Sequence, residues 1–130
     1  MSLFVKRHLW LCTAWVALFS TLDAEGGGKL RVVTTTTDLA TIARAVGGDK
    51  VEVTAIATGR EDPHFIAAKP SYMMAARKAD LWIRVGLELE IGYEELILDG
   101  SRNPKIRLAT PGHLDASEGV LRLEVPTQKI

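Results

Sequence analysis

Apolar and polar positions change their period several times along the chain, and each change marks an element. Leu30–Thr36 (LRVVTTT) is rich in β-branched residues, with glycines before it and Asp38 after it, and predicts a strand. Asp38 can cap a helix, Leu39, Ile42 and Val46 follow at helical spacing, and Gly47-Gly48 supplies the stop. Val51–Thr58 (VEVTAIAT) predicts a second strand, and the stretch from Gly59 to Lys69 reads as a loop. Pro70-Ser71 opens a short helix through Ala79, with Tyr72, Met73, Ala75 and Ala76 available for burial. Leu81–Val85 (LWIRV) is a third strand with Trp82 at its centre as a core residue. Leu89, Tyr93, Leu96 and Ile97 share one face of a third helix that ends near Gly100. Lys105–Ala109 follows the Asn103-Pro104 turn as a fourth strand. Beyond Pro111-Gly112 the pattern weakens, although Leu121, Leu123 and Val125 alternate with Arg122 and Glu124 as a short strand would.

Strands separated by helices of about a dozen residues are the signature of βαβ units. The expected fold is therefore α/β: a doubly wound parallel β-sheet, with right-handed crossovers carrying helices to both of its faces. No internal repeat or low-complexity tract interrupts it.

The N-terminus follows another logic. Met1 to His8 carries Lys6 and Arg7 and no acid, and Leu9 to Phe19 (LWLCTAWVALF) is an uncharged apolar run. A basic start, an apolar middle and a small residue at Ala24 form the pattern of a secretory signal peptide over residues 1–24. The run is too short for a membrane anchor, which needs about 20 apolar residues. Cys12 lies inside the run without the small residue that precedes a lipid-modified cysteine, so no lipid anchor is expected. Residues 25–29, with Gly26-Gly27-Gly28, read as a flexible leader to a folded unit over residues 30–130.

Composition matters mainly after that removal. Of 130 residues, 47% are hydrophobic and 25% charged, which suits a globular chain of one ordinary domain at most. Sixteen basic residues balance sixteen acidic ones; without Lys6, Arg7 and Asp23 the balance becomes 14 to 15, a net charge of −1. This excludes the basic footprint of a nucleic-acid-binding protein. The single cysteine leaves with the signal, and a thiol-free product suits an oxidising compartment.

The sharpest chemistry lies in the loop from Gly59 to Lys69, which leaves the carboxyl end of a strand, where ligands bind in such sheets. It contains Glu61-Asp62-Pro63-His64. Proline fixes its own backbone and extends Asp62, so the imidazole of His64 stands in a stiff frame. Neutral imidazole is a common metal ligand, and Asp62 or Glu61 could orient its second nitrogen. On spacing alone a solvated loop histidine is the plainer reading, as is a solvated turn for the two acids.

The residues from Arg31 to Leu108 resemble the N-terminal lobe of the solute-binding proteins of zinc and manganese ABC transporters. The resemblance rests on Val32-Val33-Thr34-Thr35, on Gly47-Gly48-Asp49-Lys50-Val51-Glu52-Val53, and on Asp62-Pro63-His64. It continues through Lys69-Pro70-Ser71, Ala79-Asp80-Leu81 and Gly86-Leu87-Glu88-Leu89-Glu90, and Leu114-Asp115-Ala116-Ser117-Glu118 resembles the segment that follows in one branch. It implies one lobe of a two-lobed, periplasmic-binding-protein-type receptor. Such a receptor captures zinc or manganese in the periplasm and hands the ion to a membrane permease. His64 falls on the family's first metal ligand. The other ligands, two more histidines (the last sometimes a carboxylate) and an aspartate, come later in such proteins, past the point that corresponds to Ile130. The resemblance thus implies either a piece of a longer receptor or an inactive truncated remnant, and metal binding by this chain is expected to be weak, since about four ligands hold zinc. An exported α/β enzyme domain is the competing class. Against it, the sequence has no Gly-x-Ser-x-Gly elbow, no phosphate-cradling glycine loop and no evident acid/base pair.

Other residues read more simply. His113, at a Pro111-Gly112 turn, is expected to be an exposed turn residue without a metal role. Thr34 to Thr37 read as a β-branched strand end, and Glu88 and Glu90 as acids favouring a helix start. Met73 and Met74 read as core filler.

Overall fold

The computed structural model describes residues 28–121. The expected signal segment 1–24, residues 25–27 of the leader, and the alternating positions 122–130 lie outside the described residues. The chain forms β1 (Leu30–Thr34), α1 (Thr37–Gly47), β2 (Val51–Ala55), α2 (Pro70–Lys78), β3 (Leu81–Arg84), α3 (Glu94–Ser101) and β4 (His113–Asp115). Short 3-10 turns occur at Gly48–Lys50 and Pro104–Ile106. The sheet order is β2-β1-β3-β4 and every pairing is parallel, with Val32 opposite both Val53 and Leu81, and Trp82 opposite His113. The doubly wound α/β sheet expected from the alternation is what forms.

Local chemistry explains most boundaries. Thr36, not Asp38, caps α1: its hydroxyl accepts from the Leu39 N–H, while Asp38 sits in the first turn, where an acid favours the helix dipole. Gly48 ends α1 at φ +54, a conformation that suits glycine. Pro70 stands at the start of α2, where its missing N–H costs nothing.

Trp82, Val33, Ile56, Tyr93, Ile97 and Ile106 belong to one buried cluster, which α2 and α3 close from one side of the sheet. Packing of α1 is with β1 and β2. This leaves an apolar groove of about 500 Å³ lined by Ile42 and Val46 of α1 and by Leu30, Val32, Ile83 and Leu114 of the sheet. The helical stripe read at Leu39, Ile42 and Val46 therefore borders an open groove: Ile42 is exposed and Val46 is 84% exposed, while Ala40 is the fully covered residue of α1.

Three expectations are corrected. The predicted strand Lys105–Ala109 is a 3-10 turn and coil, because the Asn103 side chain accepts from the Lys105 N–H and Pro104 begins a helical turn. The fourth strand is instead the short His113–Asp115, docked when the Trp82 N–H donates to the Gly112 carbonyl. Leu96 is exposed and Leu98 buried, because α3 starts only at Glu94, after a turn with positive φ at Leu87 and Glu88. The covered stripe is Glu94, Ile97, Leu98 and Ser101, a clean i, i+3, i+4, i+7 set. Met74 is exposed; Met73, half-buried, has its sulfur against Gly100.

Candidate metal centre

Four parallel strands present their carboxyl ends on one edge, and the loop after β2 carries His64 there. Ile66, buried in the main cluster, anchors that loop two residues beyond the histidine. The Phe65 N–H closes a turn onto the Asp62 carbonyl at 3.0 Å. The His64 carbonyl rests against Gly92, where an added Cβ would lie 3.1 Å from that oxygen. The imidazole itself stays 58% exposed. Its Nδ1 lies 2.8 Å from Asp62 Oδ1, and the same oxygen accepts the His64 backbone N–H at 2.9 Å. The backbone and ring hydrogen bonds from His64 together hold the Asp62 carboxyl below the usual carboxylate range. Glu61 faces Lys69 at 3.7 Å and leaves the ring alone. Of the two acids that could orient the imidazole, Asp62 is the one that touches it.

The crevice between β1 and β3, where the chain reverses its direction across the sheet, is filled by a carboxylate. Glu90 is buried, and its Oε1 accepts from the Thr35 hydroxyl at 2.7 Å and the Val85 N–H at 2.7 Å. Its Oε2 accepts from the Gly86 N–H at 3.1 Å. Glu90 thus ties two strand ends together, while Glu88 stands exposed in the turn. Thr34 and Thr35 are both fully buried; Thr34 bonds the Thr36 carbonyl, so neither hydroxyl is offered to a ligand. Beside them the Tyr93 hydroxyl is buried without a partner among the described residues, and burial, then the charges of Glu90 and Glu94, push its pKa up.

His113 overturns the expectation of an exposed turn residue. Its side chain is 3% exposed, and its Nε2 lies 3.1 Å from Glu94 Oε1. The same carboxylate accepts from Trp82 Nε1 at 2.8 Å and from the Arg84 guanidinium at 2.8 Å, while Arg84 also bonds Asp115 at 2.6 Å. This network joins α3, β3 and β4, and it explains why a three-residue strand holds its place. No sequence period announces it; the one signal was Glu94 falling in phase with the apolar stripe of α3. Among the described residues no group of three or more His, Cys, Asp or Glu side chains could hold a metal ion.

Burial pushes Glu94 toward protonation, but hydrogen bonds from His113, Arg84 and Trp82 outweigh it and lower its pKa from the ordinary 4.5. Asp115 and Asp80 are likewise lowered from 3.8, Asp115 by Ser117 and Arg84 against a burial effect of opposite sign, Asp80 chiefly by the Arg31 backbone and Lys105. A depressed carboxylate contributes stability that is present above its unfolded pKa and lost as pH falls through the folded one. Urea midpoints are therefore expected to be flat from neutrality to about pH 5 and to fall steadily below it. Glu94→Gln should flatten part of that fall; an unchanged acid limb would remove Glu94 from it.

Comparison with known proteins follows the same segment. The family model described as "ZnuA: Zinc-uptake complex component A periplasmic" matches residues 32–129. The "Metal ABC transporter substrate-binding lipoprotein FimA" of Streptococcus parasanguinis is 40% identical over 70 residues, covering 54% of this chain and 23% of FimA. The "Manganese ABC transporter substrate-binding lipoprotein PsaA" of Streptococcus anginosus is 32% identical over 98 residues, covering 75% of this chain and 31% of PsaA. The match thus spans about a quarter to a third of these relatives. A crystal structure of ZnuA superposes with a TM-score of 0.60 at 22% identity, over 75% of this chain and 35% of that one, which shows a shared fold. With its parallel sheet and a family match over residues 32–129, the chain belongs to the ZnuA family.

Proposed function

We propose that the chain is the N-terminal lobe of an extracytoplasmic receptor that captures zinc or manganese for an ABC importer, with His64 as one ligand. The observation that carries this reading is His64 itself: an exposed imidazole at a strand-end loop, oriented by a carboxylate, in a chain of this family. Its role is cargo binding rather than catalysis. The metal is cargo, the permease is the partner that takes it, and the compartment is the periplasm, reached through the signal segment 1–24. Residues 30–130 make up the lobe, and the remaining ligands come from the rest of the receptor.

Zinc suits an imidazole-rich site and manganese a carboxylate-rich one, so the later ligands decide between them. One imidazole supplies little affinity, since zinc sites hold about four ligands. Calorimetric titration of the 130-residue chain with zinc chloride or manganese chloride should therefore show weak binding that His64→Ala removes. One-to-one binding in the nanomolar range that survives His64→Ala would overturn the assignment of His64.

A further inference from the structure

We propose that Asp62 is the positioning residue of this site: it fixes the imidazole of His64 in the tautomer with Nδ1 protonated, so that Nε2 presents its lone pair to the divalent cation. The inference deepens the proposed role of His64 and rests on it.

The argument is one of donors and acceptors. A carboxylate oxygen only accepts. The nitrogen 2.8 Å from Oδ1 is therefore the one that carries hydrogen. A neutral imidazole has a single N–H, so Nε2 is left as the free donor atom. The same Oδ1 also takes the His64 backbone N–H at 2.9 Å, which ties ring and main chain to one atom. Without it, an imidazole that is 58% exposed would turn about its side-chain bonds and share its proton between the two nitrogens. Pro63 fixes the chain between the two partners, and Ile66 in the core and Gly92 under the His64 carbonyl fix the loop around them. Phe65, 85% exposed, flanks the ring at 6.3 Å between centroids and is tilted by 50°, so it does not cover Nε2 by stacking.

The test uses the whole 130-residue chain labelled with nitrogen-15. Long-range nitrogen–proton spectra, recorded above the ordinary imidazole range of about 6.5, are expected to show His64 with Nδ1 protonated and Nε2 bare. Zinc chloride should then move the Nε2 resonance before the Nδ1 resonance. Asp62→Ala should return the ring to mixed tautomers and weaken the zinc response of His64 by about 10- to 100-fold. Asp62→Asn retains an acceptor for the loop turn and should keep the tautomer, with a smaller loss. Predominant Nε2–H in the unmodified chain, or an undiminished zinc response in Asp62→Ala, would overturn the role of Asp62. A protonated Nδ1 with no zinc effect at His64 would instead overturn the metal role of His64, while the hydrogen bond stands.

Discussion

Trp82→Ala should lower the melting temperature by about 15 °C or more and leave little folded chain at moderate urea concentrations. Trp82 is fully buried at the centre of β3 and is the largest side chain in the core. Emptying such a site costs about 3–5 kcal/mol, of a total that for most domains lies between about 5 and 15 kcal/mol. The change also removes the Nε1 donor that Glu94 Oε1 accepts at 2.8 Å, leaving that oxygen to His113 alone. Trp82→Phe separates the two effects, because it keeps most of the ring and deletes the donor. It should cost about 1–3 kcal/mol, and its acid limb should shift because Glu94 loses a bond that lowers its pKa. Circular dichroism melts and urea midpoints measure both. A Trp82→Ala chain as stable as the parent would mean that the sheet and helices do not share one core.

The second large effect is expected at Glu90. Glu90→Gln places an amide nitrogen among three donors, the Thr35 hydroxyl and the Val85 and Gly86 N–H groups, where two acceptor oxygens now stand. One donor must then face another, and an unsatisfied buried group costs about 1–3 kcal/mol. Glu90→Ala leaves all three without their acceptor and should cost about 3 kcal/mol or more. Glu88→Gln, in the exposed turn two residues earlier, is the matched control and should change stability by less than about 0.5 kcal/mol. Hydrogen exchange should locate the damage: Glu90 variants should expose the Val85 and Gly86 amides first, since these are the bonds they break. Equal effects at Glu88 and Glu90 would refute a clamp at the strand ends.

The contrast between these two glutamates shows how far the sequence could be read. Both stand in the string Gly86-Leu87-Glu88-Leu89-Glu90, and both read as acids favouring a helix start. One is solvated and the other is the plug of the crevice, because a partner of Glu90 is Thr35, 55 positions earlier in the chain. Local pattern carries no information about such a partner. His113 departs from its sequence reading for the same reason: a Pro-Gly turn suggests exposure, yet pairing beside β3 turns the ring inward to Glu94 of α3. The phase of α3 failed for a local reason, since the helix starts five residues after Leu89, and the stripe shifted from Leu96 to Leu98.

Much else was legible from short-range chemistry. β-branched runs bounded by glycine, a proline at the start of a helix and a glycine pair at the end of one are each decided within a few residues. They fixed three of the four strands, two of the helices and hence the parallel sheet. They also fixed the loop that carries His64, and Asp62-Pro63-His64 is a local frame whose hydrogen bonds span only two positions. The tertiary structure decided which acid orients the imidazole, which carboxylates are buried, where the fourth strand lies, and that the apolar stripe of α1 borders an open groove. Those outcomes depend on groups brought together across the sheet, and desolvation and hydrogen bonding there act only once the chain has folded.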